Sequence, residues 1–485
     1  MAKPCEANSR NRIVMKELNV DVAVIGAGTA GLAAYRAAAA AGRRAVIIEG
    51  GPYGTTCARV GCMPSKLLIA AAEAAHVVEK WPAFGLRLEG NVRVDGRAVM
   101  TRVKRERDRF VGFVLEGVEA IPESAKLRGY ARFVDDCHLT VDNHTRVRFG
   151  RAVIATGSSP SLPPLLRSAG DRLIVNDDIF DWSELPRAVA VFGAGVIGLE
   201  LGQALHRLGV QVLMFGRNHS VGPFTDPEVR AYATHAFQSE FYLDATAEVR
   251  AIERIADGVS IRYVHRDGDE RTDTVDFVIA ATGRTPNIHK LGLENLSIAL
   301  DRSGVPVFDR ETMRCGDSNI YIAGDVNNDL PLLHEAADEG RIAGENAARM
   351  DGPQPTRRRA AIGVVFSDPQ LAVVGAAYRD LRPESFVTGT VSFEDQGRSR
   401  VMLRNKGLLH LYADRKSGRI LGAEMIGPDA EHLAHLLAWA IQCELTVAQT
   451  LQMPFYHPVV EEGLRTALRD ANAKLTLARA DTRAA

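Results

Sequence analysis

The sequence has no surplus charge of either sign: 59 basic side chains stand against 60 acidic ones, a formal charge of -1. That balance removes the electrostatic case for a nucleic-acid partner or an anionic membrane surface. No apolar run reaches membrane-spanning length without a charge or an interruption, so no membrane partner is expected. Residues 1–18 lack the apolar segment of a secretory signal and contain Glu6 and Glu17; they read as a disordered tail on a cytoplasmic protein. Cysteine is scarce, with six in 485 residues. After Cys57 and Cys62 no Cys or His falls at zinc-ligand spacing before His76, so no metal is expected. Cys5 reads as incidental, and Cys137, Cys315 and Cys443 as core or half-core residues. What remains is an ordinary globular composition, 46% hydrophobic, in a chain long enough for roughly three domains.

Two of the six cysteines organise the rest. In Cys57-Ala-Arg-Val-Gly-Cys62-Met-Pro-Ser-Lys66 four residues separate the thiols, and Pro64 suits the first turn of a helix. The alanine- and leucine-rich run 67–78 predicts that helix. A thiol at its start meets unpaired N–H groups and the positive end of the helix dipole, which favour a thiolate. A structural disulfide does not suit a chain without a secretory signal, and the pair reads as redox-active. Lys66 lies one helical turn beyond Cys62, on the same face.

A β-branched strand, 19–25, runs into Gly26-Ala-Gly28-Thr-Ala-Gly31, a helix over 32–41 and a strand 45–48 ending at Glu49. A glycine triplet alone is a weak signal; in this strand–turn–helix–strand setting it is a dinucleotide-binding pattern. The glycines admit a pyrophosphate to the helix N-terminus, and Glu49 can accept from a ribose hydroxyl. The pattern recurs as strand 187–192, Gly193-Ala-Gly195-Val-Ile-Gly198, helix 199–208 and strand 210–215. Two such units point to two dinucleotides. The second unit ends differently, in Phe215-Gly216-Arg217, which offers no carboxylate and places an arginine where a 2′-phosphate can be met.

Three further patterns follow. Ala155-Thr156-Gly157 and Ala281-Thr282-Gly283 are matching strand-end turns, and strand 319–323 ends in Gly324-Asp325 before a helix begins near His334. Arg357 to Arg359 read as a solvated basic linker to a C-terminal α+β region. Near the end, Tyr456-His457-Pro458-Val-Val-Glu461-Glu462 brings a histidine beside carboxylates, the pairing that handles protons near neutral pH. Spacing does not choose between Glu461 and Glu462.

Together these motifs resemble the flavin-dependent pyridine nucleotide–disulfide oxidoreductases, the family of dihydrolipoyl dehydrogenase, glutathione reductase and mercuric reductase. The resemblance covers nearly all of the chain after about residue 18. It implies an α/β protein with two Rossmann-like dinucleotide-binding domains and a C-terminal α+β dimerisation domain. FAD would occupy 19–157 and 284–355, NAD or NADP 158–283, and dimerisation 356–485. It implies FAD at Gly26, Gly28, Gly31 and Glu49, with Ala155, Thr156 and Gly157 at the domain exit and Asp325, after Gly324, on the ribityl chain. The nicotinamide dinucleotide would sit at Gly193, Gly195, Gly198 and Arg217, with Gly283 at the return. Cys62 would face the flavin and Cys57 meet the substrate, while Lys66 pairs with Glu200 and tunes the flavin. The partner subunit's His457, with Glu462, would move protons, so a homodimer is implied.

The activity this resemblance puts first is dihydrolipoyl dehydrogenase: a dithiol, on a lipoyl domain or a small molecule, oxidised through a Cys57–Cys62 disulfide with NAD as acceptor. The alternative is an NADPH-dependent disulfide reductase, of the glutathione reductase type or for another small disulfide. Gly216-Arg217 leans that way, and Tyr456 departs from the His-Ala-His run often found in dihydrolipoyl dehydrogenases. Mercuric reductases carry a further cysteine pair near the C-terminus, and this sequence has none after Cys443. A non-catalytic flavoprotein scaffold predicts loss of Cys57, Cys62 or His457, and all three are present.

Overall fold

Strand Lys16–Ile25 alternates its side chains between two buried faces: Val22 and Val24 enter one core, Ala23 and Ile25 the other. The computed structural model in which it lies describes residues 15–484. The chain divides into two units, the first built from the described residues up to Arg59 with Arg109–Ser159 and Arg284–Arg358. There Lys16–Ile25 runs parallel to Ala45–Glu49 on one side and Thr145–Ile154 on the other. Lys126–Arg128 and Ile320–Ile322 extend the parallel part, and His138–Val141 and Ala131–Asp135 add antiparallel strands to make seven. Residues 16–18, expected in the tail, belong instead to the first strand, because Lys16 pairs with Thr145 and Leu18 with Val147. Cys5 and the remainder of that tail lie outside the described residues.

One face of this sheet is covered by helices Thr29–Ala40 and Leu333–Ala348 through Ala30, Ala34, Ala38, Ala336 and Ala343. The two helices meet backbone to backbone. A Cβ on Gly340 would stand 2.1 Å from the Ala30 carbonyl oxygen, and one on Gly344 2.3 Å from that of Ala34.

The second unit comprises Val60–Asp108, Pro160–Gly283 and the residues from Arg359 onward. It contains a five-stranded all-parallel sheet in the order Tyr242–Asp244, Gln211–Phe215, Ala188–Phe192, Phe277–Ala280, Leu173–Val175. Helix Cys62–His76 packs Leu68, Ile69 and Ala72 into the same core as Leu201, Ala204 and Leu205 of helix Val196–Arg207. A five-stranded antiparallel sheet follows, with helices Ala430–Gln442 and Glu461–Ala484 buried against it through Leu433, Leu437, Leu464 and Leu468. The expected fold class therefore holds: two Rossmann-like units and a C-terminal α+β portion. Trp439, in the Ala430–Gln442 helix, is 65% exposed, a large apolar surface for one chain alone. Among the described residues no helix is long and apolar enough to cross a membrane.

Two of the three cysteines expected in the core are elsewhere. Cys315 is buried and its thiol is pushed up to about 12 by that burial. Cys137 and Cys443 are exposed, one in the turn between the antiparallel strands of the first sheet and the other just past the helix Ala430–Gln442.

Candidate active site

The two glycine turns have nearly the same geometry. Gly26 and Gly193 take φ +104° and +111°, and a Cβ on either would press to 2.3 or 2.2 Å from the carbonyl oxygen of Ala155 or Ala281. Gly31 and Gly198 sit one turn into their helices, where a Cβ would lie 1.9 Å from the oxygen of Gly26 or Gly193. These four glycines are demanded by the fold itself. Gly28 and Gly195 are different: both have ordinary extended backbone, cap their helices without a side-chain bond, and would project a Cβ into open space. Beyond glycine's ordinary suitability as an N-cap, a ligand lying against the helix N-terminus gives those two positions a reason to lack a side chain.

At the first turn Glu49 lies at the strand end, its two carboxylate oxygens accepting from Ala27 N–H and Gly51 N–H, each at 2.7 Å. Ala155 donates its N–H to Ile25 at 2.8 Å, and Thr156 Oγ1 donates to the Asn287 carbonyl. The Gly157 carbonyl accepts from Asn287 N–H, and Gly157 takes φ +67°. Gly324 is at φ +79°, and its N–H donates to the buried Glu339 carboxylate at 2.8 Å. Asp325 accepts from Ser158 Oγ at 2.9 Å, and Ser158 Oγ in turn accepts from Arg284 Nε at 2.7 Å. An open N-terminal turn, a carboxylate at the strand end and a second acidic loop are the donor and acceptor set that FAD requires. The residues present fit that group.

At the second turn the register is informative. Ile25 pairs with Ile48, and Phe192 with Phe215, so Gly216 occupies the place that Glu49 fills in the first fold. A Cβ on Gly216 would meet the Ala245 Cα at 3.1 Å, so the position is tight as well as uncharged. Arg217 follows, exposed. Gly283 takes φ +104°, and its carbonyl accepts from Ser161 N–H. The open Gly195 position and the exposed arginine fit a pyridine dinucleotide.

Cys57 lies in a short helix, Thr56–Val60, that the sequence did not announce, and Cys62 is the first residue of the next, with Gly61 as its N-cap. Cys62 is exposed and Cys57 half-buried. The structure brings Lys66 and Glu200 together: Nζ lies 2.7 and 2.8 Å from the two carboxylate oxygens. The Glu200 side chain is only 6% exposed, and Phe366 supplies both an N–H to it at 2.9 Å and a ring 4.6 Å from the Lys66 nitrogen. His457 and Glu462 also meet, with Nδ1 3.0 and 3.2 Å from the carboxylate oxygens. That leaves the other ring nitrogen, on an imidazole 80% exposed, for proton traffic.

Two residues were missed by the sequence reading. Glu339 is fully buried, and Arg358, expected to be solvated, is instead enclosed by Glu335 and Glu339. No local pattern marks either one, because the groups that bond Glu339 and the acids that enclose Arg358 lie 12 to 23 residues away in sequence. His334, in the first turn of the helix carrying Glu339, is half exposed.

The family model for pyridine nucleotide-disulphide oxidoreductase matches residues 20–340, and that for its dimerisation domain matches residues 362–468. Mercuric reductase from Shigella flexneri is 32% identical over 464 residues, a match that covers 93% of this chain and 80% of the relative. Dihydrolipoyl dehydrogenase from Geobacillus stearothermophilus is 29% identical over 454 residues, covering 92% of this chain and 94% of the relative. Among solved structures, the HOCl-induced flavoprotein disulfide reductase RclA from Escherichia coli superposes with a TM-score of 0.78 at 23% identity, covering 93% and 99% of the two chains. With both glycine turns and the C-terminal sheet in place, the chain belongs to the pyridine nucleotide-disulphide oxidoreductase family, with FAD- and NAD(P)-binding folds and a dimerisation domain.

Proposed function

We propose that the protein is an NADPH-dependent reductase of a small disulfide. The observation that carries this reading is the register at the second nucleotide turn, where Gly216 stands in the place of a carboxylate and Arg217 follows. A carboxylate there would accept from the ribose hydroxyl of NAD; an arginine suits the 2′-phosphate of NADP. A relative at 32% identity is itself a reductase, which supports the same direction.

FAD, when bound, supplies a two-electron carrier between nicotinamide and protein thiols. The remaining work falls to the chain's own residues. With the cysteine pair reduced, the Cys57 thiolate attacks one sulfur of the substrate; the substrate S–S bond breaks and the leaving thiolate takes a proton from the partner subunit's His457. Cys62 then gives up its proton and attacks the Cys57 sulfur; the bond from Cys57 to the substrate breaks, the departing thiolate takes that proton, and a Cys57–Cys62 disulfide remains. NADPH and one proton thereby reduce one disulfide to two thiols. Glu462, on Nδ1, orients the imidazole and stabilises its protonated form. The dimerisation domain supports a homodimer, and Trp439 is suited to its contact.

A second reading, oxidation of a dihydrolipoyl group with NAD, is favoured by the 94% coverage of the dihydrolipoyl dehydrogenase relative. The test is steady-state turnover of the FAD-loaded protein with NADH and NADPH in parallel, against lipoamide, glutathione disulfide and a mercuric salt. Turnover of a disulfide with a clear NADPH preference is expected. Efficient lipoamide chemistry with NAD and none with NADP would sink the proposal and install the second reading.

A further inference from the structure

The first nucleotide fold is assembled from separate stretches of chain. Gly26–Gly31 and helix Thr29–Ala40 form one wall, and Gly324-Asp325 the other. Helix Leu333–Ala348 touches both. Its Gly340 and Gly344 lie directly on the carbonyls of Ala30 and Ala34, with no side chain between to give way. Glu339, the residue before Gly340, reaches the second wall: one carboxylate oxygen accepts from Gly324 N–H at 2.8 Å and from Asn327 Nδ2 at 2.7 Å. A Cβ on Gly324 would stand 2.9 Å from that of Ala30, so the two walls themselves are in near contact. The other oxygen of Glu339 accepts from Arg358 at 3.2 Å.

A buried carboxylate is costly unless something needs its charge. Here burial raises the Glu339 carboxyl against the opposing pull of Gly324 N–H and Arg358. Structural packing alone would be served by an apolar side chain. What the carboxylate adds is an acceptor for two donors of the Gly324–Asn327 turn at once, and so a set orientation for Asp325 between them.

We infer that Glu339 is the positioning residue of the flavin site, setting Gly324-Asp325 in register with the glycine turn through the Leu333–Ala348 helix. The inference rests on the assignment of FAD to this fold. Glu335 is its internal control: it shares Arg358 but makes no bond to the turn. If Glu339 serves only to neutralise Arg358, the two acids are equivalent; if it sets the turn, they are not.

The test is titration of flavin-stripped protein with FAD, read by flavin fluorescence and by the shape of the visible flavin bands, with apoprotein melting measured alongside. Glu339→Gln has one acceptor oxygen where three donors need two, and FAD affinity should fall about tenfold or more with altered flavin bands. Glu335→Gln should keep FAD affinity within about twofold, even where its apoprotein melts as low as that of Glu339→Gln. Asn327→Ala, which leaves the buried charge and its arginine intact, should weaken FAD by a few-fold and covers the case in which Glu339→Gln does not fold. Equal FAD affinities in Glu339→Gln and Glu335→Gln, or wild-type affinity in Asn327→Ala where Glu339→Gln fails to fold, would overturn the inference alone. A wild-type protein that takes up no FAD would overturn the cofactor assignment and this inference with it.

Discussion

The two nucleotide turns share a backbone and differ in the side chains set around it. At the floor of the turn the first fold has Ile25 and Ile48, whereas the second has Phe192 and Phe215 with ring centroids 5.1 Å apart. At the end of the second strand stand Glu49 in one and Gly216 in the other. Two residues past the third glycine, Ala33 in the first helix corresponds to Glu200 in the second, and only Glu200 reaches a lysine. The glycines that shape the turn are thus common to both, and what each turn binds is written in residues that the turn does not need. A family-level pattern therefore identifies a dinucleotide fold readily and its particular dinucleotide poorly.

This contrast can be broken most violently at the shared positions. Gly26→Ala or Gly193→Ala places a Cβ against a backbone carbonyl at positive φ, and each should cost about 3 kcal/mol or more, seen as loss of soluble protein or a large drop in melting temperature. Next come the open positions, which should separate binding from folding. Gly28→Val should lower the bound flavin at least tenfold and leave nicotinamide KM unchanged, and Gly195→Val should do the reverse; the apoprotein of each should lose no more than about 1 kcal/mol, the ordinary cost of a poor helix cap. A variant that affects both cofactors equally would show the two sites are not separable.

Sharpening the contrast takes subtler changes. Arg217→Glu should cut kcat/KM for NADPH by about tenfold to a hundredfold while sparing NADH, and raising the salt concentration should erode the wild-type preference in the same direction. Equal losses with both coenzymes would remove Arg217 from the phosphate site. Lys66→Met strands a Glu200 that is 6% exposed, whereas Glu200→Ala strands a Lys66 that is 31% exposed. Denaturant unfolding should therefore show the lysine variant to be the weaker of the two, by about 1 kcal/mol.

Much of this was legible before any coordinates. Positions that demand glycine leave an unmistakable trace, so Gly26, Gly31, Gly193 and Gly198 announce both folds. Cys57, Cys62 and His457 stand in short motifs whose chemistry is local to the chain. The choice of Glu462 over Glu461 came only from resemblance, and the structure places Glu462 on the imidazole. Arg358 was misread because a run of three arginines looks solvated, and its burial depends on acids from a helix that no spacing rule connects to it. Leu18 went unread in the strand because one polar neighbour on each side hides a pairing made with residue 147. Long-range partners decide such residues, and a single sequence carries no record of them.

The flavin-binding unit is stitched from three stretches of chain ending at Arg59, Ser159 and Arg358, and this bears on how the protein is born. On the ribosome the five parallel strands of the nicotinamide-binding sheet are all available once residue 280 has emerged. The flavin sheet must wait for strand Ile320–Ile322, and the helix that follows its glycine turn for Gly340 and Gly344, which lie on the carbonyls of Ala30 and Ala34. At about 5–20 residues per second the first glycine turn, translated early, stays unsupported for many seconds. A nascent protein halted before residue 320 would hold one finished nucleotide sheet and six of the seven strands of the other.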